Sequence, residues 1–277
     1  MRLAISNIAW DVVEDKTVAA LLNQYQVDAI DIAPGKYFSD FANTTKSEIL
    51  AVKQWWQDQN IEITGMQSLL FGTTGLNMFA TDAVRDTMLH YLEAVCRIGG
   101  LLGASRLVFG SPKNRDRTGL TDNETETIAI PFFQQLGDIA QKHNVIICLE
   151  PNPTCYHANY MTTSKETIQV VKMVNHPAIK MQLDIGALVI NQEDINSVLA
   201  ESSTFIGHIH ISEPQLTPLG EKKVNHDLIA NAIKYYLPDF IVSIEMIASE
   251  KKSHIAAIER AIKIANSHYV NKGEIFK

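Results

Sequence analysis

Four segments in the second half of the chain end in the same way. Residues 145–150 (VIICLE) run five apolar side chains into Glu150, and Pro151-Asn152-Pro153 follows at once. An apolar run bounded by proline reads as a strand buried on both faces, and Pro151 lacks the N–H that would continue its ladder. Residues 179–184 (IKMQLD) end in Asp184, residues 205–210 (FIGHIH) in His210 and residues 240–245 (FIVSIE) in Glu245. A carboxylate at the tip of a buried strand is costly to desolvate unless it is paired or binds a metal. One such group on each of four consecutive strands converges naturally only if the sheet is parallel and closes on itself.

The rest of the chain supplies matching units. Strand patterns over residues 2–8, 27–33, 61–66 and 104–110 precede those four. Helical spacing follows each strand in turn, over 14–24, 46–59, 82–102, 123–143, 163–174, 193–199, 225–236 and 249–268. Eight βα units at roughly 30-residue spacing imply a parallel sheet. With no charge-rich linker and no break in composition, they predict one α/β domain over residues 1–277. That domain is a (β/α)8 TIM barrel whose site lies at the C-terminal ends of its strands. An open doubly wound sheet is the alternative, but no G-x-G-x-x-G follows the first strand.

Charge and cysteine usage narrow the partners. The formal net charge is −7, which argues against a binder of phosphate backbones; the one basic loop is Lys113 to Arg117. Cys96, Cys148 and Cys155 are scattered and suggest no disulfide framework. The chain opens without a signal-type n-region and h-region, and no apolar run approaches the roughly 18 residues of a membrane span. The reading is a cytoplasmic protein with neither nucleic acid nor membrane as a partner.

Two glutamates, an aspartate and a histidine offer three oxygens and one nitrogen. That set suits Mn²⁺, Mg²⁺ or Co²⁺ in an octahedral shell with two positions left for substrate. A structural Zn²⁺ would recruit cysteine, though the set also admits Zn²⁺. A sugar carbonyl and its neighbouring hydroxyl could fill the open positions, and the ion would stabilise an enediolate. A single glutamate at a strand end is more often a cap or a salt-bridge partner; four such groups in register are much harder to ascribe to accident. His208 and His210 alternate along one strand and point the same way. His210, last in the strand, is taken as the ligand.

The segments CLEPNP, MQLDIG, HIHISEP and SIEM resemble the ligand segments of the xylose isomerase-like barrels. More narrowly, they resemble the sugar isomerases and epimerases that include D-tagatose 3-epimerase and the inosose isomerases and dehydratases. The resemblance implies Glu150, Asp184, His210 and Glu245 as metal ligands. It also implies Glu150 and Glu245 as the acid/base pair that moves a proton between the two faces of an enediolate. Three positions depart from that pattern. Ala187 stands where the epimerases usually carry a histidine, Tyr156 stands where they carry a glutamate, and residues 211–220 contain no arginine. Zinc endonucleases of the same superfamily need further histidines near Gln67, Phe109 and Ala187, so a trinuclear zinc site is not expected.

Around the rim, Asn152, Tyr156, His157 and Tyr160 are candidates to contact sugar hydroxyls, and Gln67 to hydrogen-bond substrate. Arg115 or Arg117 is a candidate to bind a phosphate or carboxylate. Trp10 and Phe71 are candidates to wall an apolar face. Glu213 and His226 are read as orienting groups, and His208 and Glu213 are counted with the substrate-facing set. The expected activity is a divalent-metal-dependent isomerase or epimerase of a small sugar, sugar phosphate or keto-polyol; a homo-oligomer, dimer or tetramer, is what the resemblance implies. The alternatives are a metal-dependent dehydratase of an inosose or shikimate-type acid and a non-catalytic sugar-binding barrel.

Overall fold

The structure, a computed structural model, describes residues 1–248 and 253–270. Its strands are β1 (Arg2–Ser6), β2 (Ala29–Ile32), β3 (Glu62–Met66), β4 (Arg106–Phe109), β5 (Ile146–Leu149), β6 (Ile179–Asp184), β7 (Ile206–Ser212) and β8 (Ile241–Glu245). Each pairs in parallel with its sequence neighbour, and β8 pairs with β1, so the sheet closes into a barrel in chain order. The open doubly wound alternative is thereby excluded. Six of the strands are one to three residues shorter than their predicted runs; β6 matches its run, and β7 extends two residues past His210 to Ser212.

Helices return the chain between strands: α1 (Asp15–Gln24), α2 (Lys46–Asp58), α3 (Asp82–Leu102), α4 (Asp122–Lys142), α5 (Ser164–Val174), α6 (Ile185–Ile190), α7 (Ile195–Ser202), α8 (His226–Tyr236) and α9 (His254–His268). Local chemistry sets their ends. Thr45 with Glu48, and Thr121 with Glu124, form reciprocal capping boxes that start α2 and α4, satisfying N–H groups that have no partner within the helix. Gly103, at φ 89°, closes α3 in the left-handed conformation that favours glycine. The sequence reading missed α6, because IGALVI carries no polar residue to reveal a helical period. Its cap is a site residue: Asp184 Oδ1 accepts the Ala187 N–H at 2.6 Å. The start predicted for the last helix, residues 249–252, lies outside the described residues.

The apolar core fills the layer between barrel and helices. Trp56, Leu92, Phe133, Ile168, Ile233 and Ile258 from the helices are buried against outward-facing strand residues such as Ile5, Ile30 and Leu149. Phe109 of β4 meets Phe133 of α4 edge-on, with ring centroids 5.6 Å apart. Strand side chains alternate between this layer and the barrel interior. On β5 to β8 the inward set includes Cys148, Gln182, His208 and Ser243, with the four chemistry-bearing residues at the top.

Candidate active site

Glu150 follows the last residue of β5, where its N–H still donates to the Phe109 carbonyl at 3.2 Å. Its Oε2 accepts from Asn152 Nδ2 at 3.1 Å, and its main-chain oxygen accepts from Arg115 Nη2 at 2.7 Å. The carboxylate lies directly over Gly110: a Cβ on that residue would come within 1.9 Å of Glu150 Oε2. Asp184 is fixed at both oxygens, by the α6 cap and by Ser212 Oγ, which donates to Oδ2 at 2.9 Å. Glu245 Oε1 accepts from Gln67 Nε2 at 2.6 Å. His210 is fully buried, its Nδ1 3.3 Å from Glu245 Oε2 and 3.8 Å from Glu150 Oε1.

Ligand atoms from Glu150, Asp184, His210 and Glu245 all lie within 4.8 Å of one another. The electrostatics show a cluster short of positive charge. Burial, then the neighbouring Glu245 and Glu150 carboxylates, push the Asp184 pKa well above the usual carboxylate range. Burial opposes the charged forms of His210 and Glu245, but their mutual attraction wins, raising the imidazole and lowering the carboxylate. Neither ring nitrogen of His210 makes a hydrogen bond among the described residues. A buried imidazole with unpartnered nitrogens inside three carboxylates fits a divalent cation, which would relieve both strains at once.

A bracing group behind His210 went unread in the sequence. Asp31 of β2 is fully buried; its Oδ2 lies 2.8 Å from His208 Nε2 and 3.8 Å from His210 Nε2. Thr64 Oγ1 donates to Asp31 Oδ1 at 3.1 Å. Burial would raise the Asp31 pKa, but His208 and then His210 hold it well below the usual range. A lone carboxylate inside the apolar run AIDI is the signal that singled out Glu150, and it applies equally to Asp31. Ser212, which orients Asp184, lies two residues beyond His210 on the same strand.

Two lobes open above the cluster and share Glu150 and Glu245. One, of about 440 Å³, is lined by residues 67–72 and 108–111 with Lys113. The other, also about 440 Å³, is lined by Asn152, Tyr156, Ala187, Leu216 and Ile247, among others, and also reaches Asp184. Gln67, Asn152, Tyr156 and Phe71 therefore do face the cavity. His157 is exposed in the loop after β5 and is not among the lining residues.

The fold places six of the rim candidates away from the two lobes. Trp10 is buried: its indole N–H donates to Asp15 at 2.7 Å and its ring meets Trp56 edge-on, so it belongs to the core. Arg115 turns inward behind Glu150 and is 1% exposed, with burial bringing its pKa down to about 10. Arg117 donates to the Asn159 carbonyl and pairs with Asp122, clamping two loops together; the cation that reaches the cavity is Lys113. Tyr160 is buried edge-on against Phe79. His208 sits one layer below the rim, held by Asp31. The fully buried Glu213 carboxylate accepts the N–H groups of Gly220 at 2.8 Å and Lys222 at 2.6 Å and pairs with His226, anchoring the loop after β7. Apart from Tyr160, whose buried hydroxyl has no hydrogen-bond partner among the described residues, each polar group found partners within the fold that linear spacing does not reveal.

Fold and cluster define a class of protein: a closed barrel of eight parallel strands that gathers three carboxylates and an imidazole at its C-terminal mouth. The chain belongs to the xylose isomerase-like TIM barrel family, whose sequence profile matches residues 19–267. It is 26% identical over 102 residues to a D-psicose 3-epimerase of Ruminiclostridium cellulolyticum; that stretch spans 36% of this chain and 32% of the relative, about a third of its length. Among solved structures, it superposes on a D-psicose 3-epimerase crystallised in the presence of D-fructose with a TM-score of 0.81, at 14% identity, covering 98% of this chain and 100% of that one. It also superposes on the IolI protein with a bound zinc atom, with a TM-score of 0.75 at 18% identity, covering 97% and 98% of the two chains. At these identities the likeness establishes the fold. No helix among the described residues is long and apolar enough to cross a membrane.

Proposed function

We propose that the protein is a divalent-metal-dependent sugar epimerase or isomerase that works through an enediolate, with Glu150, Asp184, His210 and Glu245 as the residues that hold the ion. One observation carries this reading: two braced carboxylates, Glu150 and Glu245, border both lobes of a cavity while sharing a 4.8 Å cluster with Asp184 and His210. The family and the epimerases among its similar structures support it. When bound, the ion supplies Lewis-acid polarisation of a carbonyl and its neighbouring hydroxyl; the donor set suits Mn²⁺, Mg²⁺ or Co²⁺ and admits Zn²⁺.

The chain does the proton work. One glutamate takes a proton from the carbon beside the carbonyl, and the other returns one to the opposite face of the planar intermediate. Gln67 holds Glu245 and Asn152 holds Glu150, so both bases reach the substrate already oriented. The α6 cap and Ser212 immobilise Asp184, suiting it to holding the ion rather than moving protons.

The test is solvent exchange. Incubated with Mn²⁺ in D₂O, the protein should introduce deuterium beside the carbonyl of a ketose and yield an isomer or epimer, followed by NMR. No exchange across a panel of ketopentoses and ketohexoses would overturn the proposal. An ultraviolet-absorbing product would instead assign the dehydratase chemistry.

A further inference from the structure

We propose that this protein prefers a ketose with a deoxygenated carbon at the end lying over the Ala187 lobe, such as a deoxy-ketose, to a fully hydroxylated sugar. The inference rests on the epimerase or isomerase reading above and adds the substrate class. The lobe is walled by Pro112, Pro153, the ring of Tyr156, Ala187, Leu216 and Ile247. Beyond the cluster carboxylates, it offers substrate little to bond with among the described residues. The Asn152 amide already donates to Glu150 Oε2 and to the Pro151 carbonyl, each at 3.1 Å. The Tyr156 hydroxyl accepts the Gln215 N–H at 2.8 Å, which pins the ring as a wall, and Gln215 is exposed at the mouth.

The wall is held in place rather than loose. Ile247 donates its N–H to the Leu216 carbonyl at 2.9 Å, joining the exit of β8 to the loop after β7. Its side chain stays 51% exposed at the cavity edge, apolar surface that a bound apolar group would cover. The other lobe is more polar: Gln67, Ser68, Ser111 and Lys113 line it beside apolar residues such as Leu69 and Phe109, although Ser111 already donates to Asn114 Oδ1 at 2.6 Å and Lys113 to the Thr73 carbonyl at 2.8 Å. A substrate that spans the cluster therefore meets more polar groups on one side and mostly carbon on the other. A hydroxyl set against the carbon side loses its water and finds few partners, the Tyr156 O–H and Asn152 Oδ1, whereas a methyl group there buries apolar area.

The probes are a ketohexose and its 1-deoxy and 6-deoxy analogues, which allow either end to lie over the lobe. With the Mn²⁺-loaded full chain, deuterium exchange should favour one deoxy sugar over the parent by about 10-fold or more in kcat/KM. Ala187→Ser, which adds a hydroxyl to the wall, should shrink that preference severalfold. Exchange of the parent as fast as or faster than both analogues overturns the inference. If none of the three exchanges, the catalytic reading has failed, and calorimetric affinities of the same sugars decide the lobe separately. Tighter binding of a deoxy sugar supports the preference; tighter binding of the parent, or no binding of any, overturns it.

Discussion

Strands β5 to β8 each carry, at or beside their C-terminal end, a side chain that offers a lone pair to the shared cluster, whereas β1 to β4 contribute none. From the first half come Asp31, Gln67 and Gly110, which shape the cluster without belonging to it. Gln67 holds Glu245 across 178 residues of sequence, and Asp31 holds His208 across 177. The second half of the barrel thus supplies the proposed ligands and holds Glu150 and Asp184 itself, while the first half holds Glu245 and His208. The braces work by geometry and hydrogen bonding, so their removal should grade from severe to mild according to how directly each touches a ligand.

The largest effect is expected at Gly110. A methyl group there overlaps the Glu150 carboxylate, and a displacement of about 1 Å in a catalytic group costs on the order of 100-fold. Gly110→Ala should therefore lower kcat by about 100-fold while thermal unfolding, followed by circular dichroism, stays within a few degrees of wild type. Wild-type turnover would show that Glu150 does not act from this position. Gln67→Leu frees Glu245 and should lower kcat by about 10-fold, with metal affinity falling less. An unchanged kcat would mean that Glu245 is oriented by other contacts.

Asp31→Asn removes charge behind His210 and should weaken Mn²⁺ binding by about 10-fold at the low end of such effects, read by titration calorimetry. Affinity at the wild-type level would reduce Asp31 to a partner of His208 alone. Trp10→Phe marks the far end of the scale. It loses the hydrogen bond to Asp15, which should lower unfolding free energy by about 1–2 kcal/mol and leave kcat and KM unchanged. A change in KM would return Trp10 to the rim.

The same division explains what could be read in advance. Glu150, Asp184, His210 and Glu245 stand out because each interrupts an apolar run at its end, a signal contained within six residues. The barrel follows from that signal together with the βα rhythm. Arg115 and Glu213 resemble exposed loop charges in sequence, yet the fold buries both against partners 35 and 9 residues away. Tyr160 and Trp10 carry polar atoms on large apolar rings, and only packing decides which end faces solvent. Gly110 could not be singled out at all, because its role is the absence of a side chain beneath a carboxylate from another strand. Asp31 was legible, as a carboxylate within a buried strand, but it lay far in sequence from the segments that drew notice.

The central claim is that four side chains gather one divalent ion. Titration calorimetry of Mn²⁺ into protein stripped by chelator, repeated in buffers of different ionisation enthalpy, addresses it most directly. Asp184 and His210 both have raised pKa values, so each tends to keep its proton until an ion displaces it. Binding should then release protons and tighten as pH rises. The account predicts one ion per chain, proton release to the buffer, and a loss of affinity beyond about 100-fold in both Asp184→Ala and His210→Ala. No binding to the wild-type protein, or binding that survives both substitutions, would contradict it.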